Sequence, residues 1–337
     1  MSMANVFLIS CFKLNSIRPI VILLLLLSLV LSSASCARKT PNSQIDQAAY
    51  AQELSQWQEK RWADLKSETG WLTLVGLFWL KEGVNTCGSD PGNDIVLPKD
   101  RVPLQFARFF LDHGSVSFHP VDPEIKVDGK PALDVWRETR ETSIIQSEPR
   151  IDLTSDEVKS PTIVSFRSLT FQIIKRGDRF GVRVKDSQNP DRLNFKNTEF
   201  YPADVNWRID AQFEPYKPPK PMPIVNVLNM ESAESSPGAI KFTVEGKEYR
   251  LDAITEKDEP RFFMIIADKT SGKETYPAGR YLYVDPPDAS GRVVIDFNKA
   301  YSPPCAFTKF ATCPLPPKQN RLPFAIPAGE KYQRHPE

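Results

Sequence analysis

The side chains best suited to chemistry crowd into one stretch, Val293 to Lys331. Asp296 and Asn298 stand two residues apart, followed by Tyr301, Phe307, Gln319, Asn320 and Arg321, with Glu330 beside Lys331. Two cysteines, Cys305 and Cys313, and seven prolines share the run. Tyr276 and Arg280 lie a strand upstream. Alternation along Arg292–Asn298 puts Val293, Ile295 and Phe297 on one apolar face and Val294, Asp296 and Asn298 on the other. The acid and the amide are therefore expected to point outward together, where a strand gives way to an irregular loop.

Three chemistries are open to this set. The first is a pocket for a small polar or anionic ligand, built from Tyr276, Arg280, Asp296, Asn298, Tyr301 and Arg321. An arginine there would hold a carboxylate or phosphate through two parallel hydrogen bonds. The second is hydrolase-like catalysis, with Asp296 as base beside Arg280 or Arg321 and help from Glu330 or Lys331. No Gly-x-Ser-x-Gly turn, paired-carboxylate spacing or triad order accompanies it. A thiol nucleophile would need a histidine close by, and the chain holds only His113, His119 and His335. The third is structural: Asp296, Asn298, Gln319 and Asn320 would satisfy the backbone of a long loop. A Cys305–Cys313 disulfide would staple that loop, contributing roughly 2.5 kcal/mol through chain entropy. Ligand binding is the reading carried forward. No cofactor or metal is expected: seven residues between Cys305 and Cys313 exceed zinc half-site spacing, and the acids lack a calcium-loop pattern.

The elements that must position these groups are mainly strands. Among 337 residues, 30 are proline, which central strands and helix interiors exclude. A net charge of +1 gives no field for nucleic acid. Tyr50, Leu54, Trp57, Arg61 and Leu65 recur at helical spacing, predicting one long amphipathic helix after a cap at Ser43–Asp46, with Gly70 as its C-terminal cap. Trp57 and Trp62 read as core anchors. FARFFL and SVSFHP flank Asp112-His113-Gly114 as a hairpin, and Asp128-Gly129 turns a second one. TIVSFRSLTFQIIKRG and RFGVRVKD, joined at Asp178, form a third. Lys217–Pro223 is expected to be an extended surface connector and Ser235–Gly238 a turn. Strands never alternate with helices, so an antiparallel sandwich or barrel is expected rather than a nucleotide-binding parallel sheet.

Two family resemblances emerge. LKEGVNTCGSDPGNDIVLP with VDGKPAL resembles a forkhead-associated β-sandwich. Gly88-Ser89 stands where that family has Gly-Arg, and no Ser-Arg-x-His follows Leu97, so the resemblance implies the shell without phosphothreonine binding. GWLTLVGLFWLKEG, TYPAGRYL, DFNKAYSPPCAFTKFATCPLPPKQNRL and IPAGEK resemble Domain of Unknown Function 1684 across the mature chain. Ser302 departs from the asparagine expected before Pro-Pro-Cys. The resemblance implies prokaryotic proteins with no established reaction.

The start of the chain reads as an export signal. Lys13 and Arg18 precede an apolar run, Pro19 to Leu31, and Ser33-Ala34-Ser35-Cys36 resembles a lipoprotein cleavage box with Cys36 as lipid site. Plain cleavage near Ala37 is the alternative. The expected organisation is a signal peptide over 1–36, a tether over 37–42, helix plus small sandwich over 43–140, and a larger β domain over 141–337. The protein is expected to be exported and held to a membrane of the cell envelope by a lipid. In an oxidising compartment Cys87 would be left as a buried thiol.

Overall fold

The computed structural model describes residues 46–138 and 150–332. The expected signal, tether and lipid site lie outside them. Residues from Asp46 onward form a single compact unit. No helix among the described residues is long and apolar enough to cross a membrane.

The chain opens with α1 (Gln47–Lys66). Asp46 caps it, accepting from the amides of Ala48 at 2.9 Å and Ala49 at 3.2 Å. The helix ends on Ser67, so Gly70 is not its cap. Gly70 has an ordinary negative φ, and glycine is needed there for space: a Cβ would sit 2.4 Å from the Asp64 carbonyl.

Eleven strands follow as a sandwich: β1 (Leu74–Trp79), β2 (Gly83–Gly88), β3 (Ile95–Val96), β4 (Ala107–Asp112), β5 (Ser115–Pro120), β6 (Lys126–Val127), β7 (Lys130–Pro131), β8 (Ile151–Leu153), β9 (Ile163–Phe166), β10 (Leu169–Arg176) and β11 (Arg179–Asp186). A short helix, α2 (Ala132–Glu138), follows β7. One sheet runs β1-β11-β10-β9-β6-β7 and the other β3-β2-β4-β5-β8. Phe106, Phe109, Phe118, Phe166 and Phe171 fill the space between them. All three expected hairpins form. The core continues through Val182 and Val184, so β9–β11 belong to this sandwich although sequence reading placed them in the second domain.

Along β11, Val182 and Val184 enter that core, which turns Gly181, Arg183 and Lys185 to the sheet's outer face. On β10, facing Arg183, Gln172 shares that outer side, while Phe171 and Ile173 point inward. Such an outer face normally meets water. Here it is covered, since Arg183 is only 7% exposed.

The second half begins with α3 (Pro190–Leu193) and contains β12 (Arg208–Val225), β13 (Glu231–Val244), β14 (Lys247–Asp252), β15 (Ile254–Thr255), β16 (Phe262–Ile266), β17 (Arg280–Val284) and β18 (Arg292–Asp296). Their sheets run β14-β13-β12-β18 and β15-β16-β17, all antiparallel. The expected connector Lys217–Pro223 lies inside β12, and the expected turn Ser235–Gly238 lies inside β13. The two strands pair on both sides of a register shift between Pro215 and Lys220. That irregularity is where a proline-rich strand interrupts its ladder.

Helix α1 docks on this second half. The Tyr50 hydroxyl donates to Asp296 at 2.8 Å, and the Trp62 indole N–H donates to Thr198 at 3.0 Å. Trp57 meets Phe200 edge-on, with ring centroids 5.9 Å apart. Removing the Tyr50 hydroxyl would leave the buried Asp296 and Asn298 short of a partner. Tyr50→Phe is therefore expected to lower unfolding free energy by about 1–3 kcal/mol, read as a lower urea midpoint with an unchanged slope.

Candidate functional site

The structure distributes the residues singled out by sequence among separate roles. β18 stops at Asp296, and the chain turns into a short 3-10 helix, Phe297–Lys299. The expected outward pair is buried beneath α1. Asp296 Oδ1 accepts from Tyr50 and from the Asn298 amide, while Oδ2 is sealed without a partner. Asn298 accepts from the Asp204 amide at 3.1 Å and donates to the Asp204 carbonyl at 2.8 Å. Burial, then the charge of Asp296, pushes the Tyr50 hydroxyl well above its ordinary pKa, so it remains a donor. These three groups pin the end of β18 to the helix and to the turn before β12.

Arg280 is fully buried. It pairs with Asp268 at 2.8 Å and donates to the carbonyls of Ile326 and Ala328. It holds the C-terminal loop in place; its Nε is buried without a partner, and it lines neither large cleft. Asn320 grips both backbone groups of Asp252, at 2.8 and 2.9 Å. Arg321 is exposed. Among the described residues no hydrogen bond or ion pair joins Asp296 to Arg280 or Arg321. Tyr276 donates to the Cys305 carbonyl at 2.8 Å. Of the six expected pocket residues, Tyr301 alone lines one of the two large clefts.

Both clefts border the loop Ser302–Pro314. The first, about 730 Å³, is bounded by Asn194–Glu199 on one side and by Ser302, Cys305–Lys309 and Glu330–Tyr332 on the other. The second, about 680 Å³, lies where the outer face of the sandwich meets α1, β16–β17 and the loop. Aromatic walls come from Trp57, Trp71, Phe263, Tyr281, Tyr283 and Tyr301. Cationic Lys60, Arg61, Arg176, Arg183 and Arg261 line it, against acidic Asp64 and Glu256.

Four of those cations have partners. Lys60 pairs with Asp64 at 2.8 Å, Arg61 with Glu330 at 3.2 Å, Arg176 with Asp156 at 2.9 Å and Arg261 with Glu259 at 2.8 Å. Arg183 differs. It makes no hydrogen bond or ion pair among the described residues, and its Nε is buried with no partner. The Trp71 ring lies 5.3 Å from its guanidinium carbon. Burial, then repulsion from Arg176, pushes its pKa down to about 10. It therefore stays charged at neutral pH while bearing the cost of desolvation.

Cys305 and Cys313 stand where the loop divides the clefts, Cys305 on the first and Cys313 on the second. The expected disulfide is not formed; both are free thiols. The Cys305 amide donates to the Cys313 sulfur at 3.1 Å, so a hydrogen bond occupies the place of the covalent staple. Cys87 is a fully buried free thiol in the sandwich core.

Residues 193–331 match the family model described as Protein of unknown function (DUF1684). The match takes in β12–β18 and the C-terminal loop, a narrower span than the resemblance expected from the sequence. The DUF1684 segment thus supplies one wall of the second cleft, and Arg61, Trp71, Arg176 and Arg183 come from outside it. The solution NMR structure of an uncharacterized protein of Haloarcula marismortui is 28% identical, covering 42% of this chain and 80% of that one, with a TM-score of 0.36. No curated protein matches.

In the sequence Arg61 reads only as part of a helix face, and Arg176 and Arg183 as ordinary strand residues. One signal was present: the V-R-V-K alternation of β11 places two cations directly opposite core valines.

Glu330 closes the first cleft from within. It is fully buried, its Oε2 receives Arg61, and its Oε1 has no partner. Burial raises its carboxyl above the ordinary 4.5, ahead of Arg61, which pulls it down. The native state therefore holds that proton more tightly than the unfolded chain does. The stability it contributes is complete below pH 4.5 and is lost as pH rises through the folded value. Glu330→Gln is expected to remove this loss: melting temperatures of wild type and variant should diverge progressively from pH 4.5 upward, the wild type declining more steeply. A gap independent of pH would contradict it.

Proposed function

We propose that the protein binds a small anionic ligand in the second cleft, with Arg183 receiving the negative charge. The observation that carries this reading is one buried guanidinium without a carboxylate, facing an aromatic-walled cavity of about 680 Å³. A buried unpaired cation is destabilising, so its presence is accounted for by an anion that completes it. Arg176 lies close enough to repel Arg183, and its own partner Asp156 offsets only one of the two charges. A carboxylate or phosphate fits the planar fork of a guanidinium. Trp71, Tyr281, Tyr283 and Tyr301 favour a ligand whose remaining body is flat and apolar.

The alternative of a hydrolase acting through Asp296 has less support, because Asp296 is committed to Tyr50 and Asn298. The structural reading fits Asp296, Asn298, Arg280 and Asn320 themselves, and it is compatible with a ligand cleft beside them. An exported, lipid-anchored location belongs to the proposal on the strength of Lys13, Arg18, the apolar run and Cys36 alone.

Arg183→Met separates binding from folding. Losing an unpaired buried charge should stabilise the ligand-free protein by about 1 kcal/mol. The same variant should lose the rise in melting temperature that inorganic phosphate, phenyl phosphate or benzoate gives the wild type. A variant that keeps the anion-dependent rise, or a wild type that shows none with any of the three, would overturn the assignment.

A further inference from the structure

The thiol pair in the loop between the clefts carries a second assignment, independent of the anion site. We propose that Cys305 and Cys313 form a reversible redox dithiol, with Cys305 as attacking thiolate and Cys313 as resolving thiol, that exchanges with a small disulfide entering the first cleft.

Cys305 sits in a short 3-10 helix, Pro304–Ala306, and is half-buried on the wall of the roughly 730 Å³ cleft. Cys313 is 4% exposed and borders the second cleft on the other side of the loop. The intervening chain doubles back because Thr308 donates its amide to the Pro304 carbonyl and its hydroxyl to Leu74, at 3.2 Å each. That fold brings the Cys313 sulfur within 3.1 Å of the Cys305 amide.

The electrostatics distinguish the two sulfurs. The neighbouring Cys313 side chain holds the Cys305 thiol below its ordinary pKa, ahead of burial, which raises it. The same contact, joined by burial, pushes Cys313 up. Cys305, the more exposed residue of the two, is thus the one placed to attack, with Cys313 held as the thiol that resolves. Cys87 serves as an internal control: burial alone drives it upward, and it lines neither cleft.

The chemistry balances with a low-molecular-weight disulfide, RSSR, as oxidant. The Cys305 thiolate attacks one sulfur, the S–S bond breaks, and RS⁻ leaves. Cys313 gives its proton to that RS⁻ and attacks the Cys305 sulfur, expelling a second RS⁻, which takes a proton from water. The protein loses two electrons, and RSSR becomes two RSH.

The test uses the full chain, first reduced under native conditions and then exposed to oxidised glutathione. Alkylation and peptide mass spectrometry read the outcome. The wild type should yield a Cys305–Cys313 crosslink that glutathione reverses, with Cys87 alkylated only after denaturation. Cys313→Ser should stall as a glutathione adduct on Cys305, and Cys305→Ser should give neither adduct nor crosslink. Circular dichroism establishes that each variant is folded. If a variant does not fold, the wild type's crosslinked fraction must still follow the ratio of oxidised to reduced glutathione. An adduct on Cys313 in Cys305→Ser would overturn the assignment of roles. Wild-type thiols that persist in oxidised glutathione, or a crosslink that resists reduction until the protein unfolds, would overturn the reversible pair.

Discussion

Arg61 is the contact on which the rest of the molecule depends. It projects from α1 into the C-terminal half and does three things with one guanidinium. Its Nε reaches Glu330, one terminal nitrogen donates to the Ser302 carbonyl at 2.8 Å, and its plane lies over Tyr301, 4.6 Å from the ring centre. Glu330 is a carboxyl with no access to water, so the arginine is needed wherever that acid is charged. The same side chain fixes the start of the loop Ser302–Pro314, and through it the wall between the two clefts. An arginine suits this place where lysine would not, because a planar fork can hydrogen-bond and stack at once.

From that pin the logic of the second cleft follows. α1, the loop and β16–β17 are held against the outer face of the sandwich, and this converts an ordinary solvent-facing strand surface into an interior. Lys185 finds the Thr69 carbonyl and the Trp71 ring. Arg176 finds Asp156 and Thr312. Arg183 finds only Trp71. Three cations from two adjacent strands thus enter a low-dielectric region with fewer acids than they need, and the deficit is concentrated on one of them. Stability alone would favour a neutral side chain at that position.

The sequence disclosed the elements better than their partners. The spacing of Tyr50, Leu54, Trp57, Arg61 and Leu65 marks a helix face, and the helix forms. Periodicity identifies a face without naming what covers it, so the docking of α1 on the C-terminal half was not readable. The same limit explains Asp296 and Asn298. Alternation set them opposite the core, but a distant helix buries that side as well, and the amides turn out to hold the loop together. Arg183 was hidden by its resemblance to an exposed strand residue. Lys217–Pro223 misled in the opposite direction: proline density suggested a connector, whereas a register shift lets the long strand absorb it.

The most direct measurement of the central claim is crystallographic. Crystals grown with selenate, an anion whose anomalous signal locates it without ambiguity, report where the protein holds negative charge. The account predicts a peak in the second cleft within hydrogen-bonding reach of the Arg183 guanidinium. A map with selenate elsewhere and none at Arg183 would contradict it.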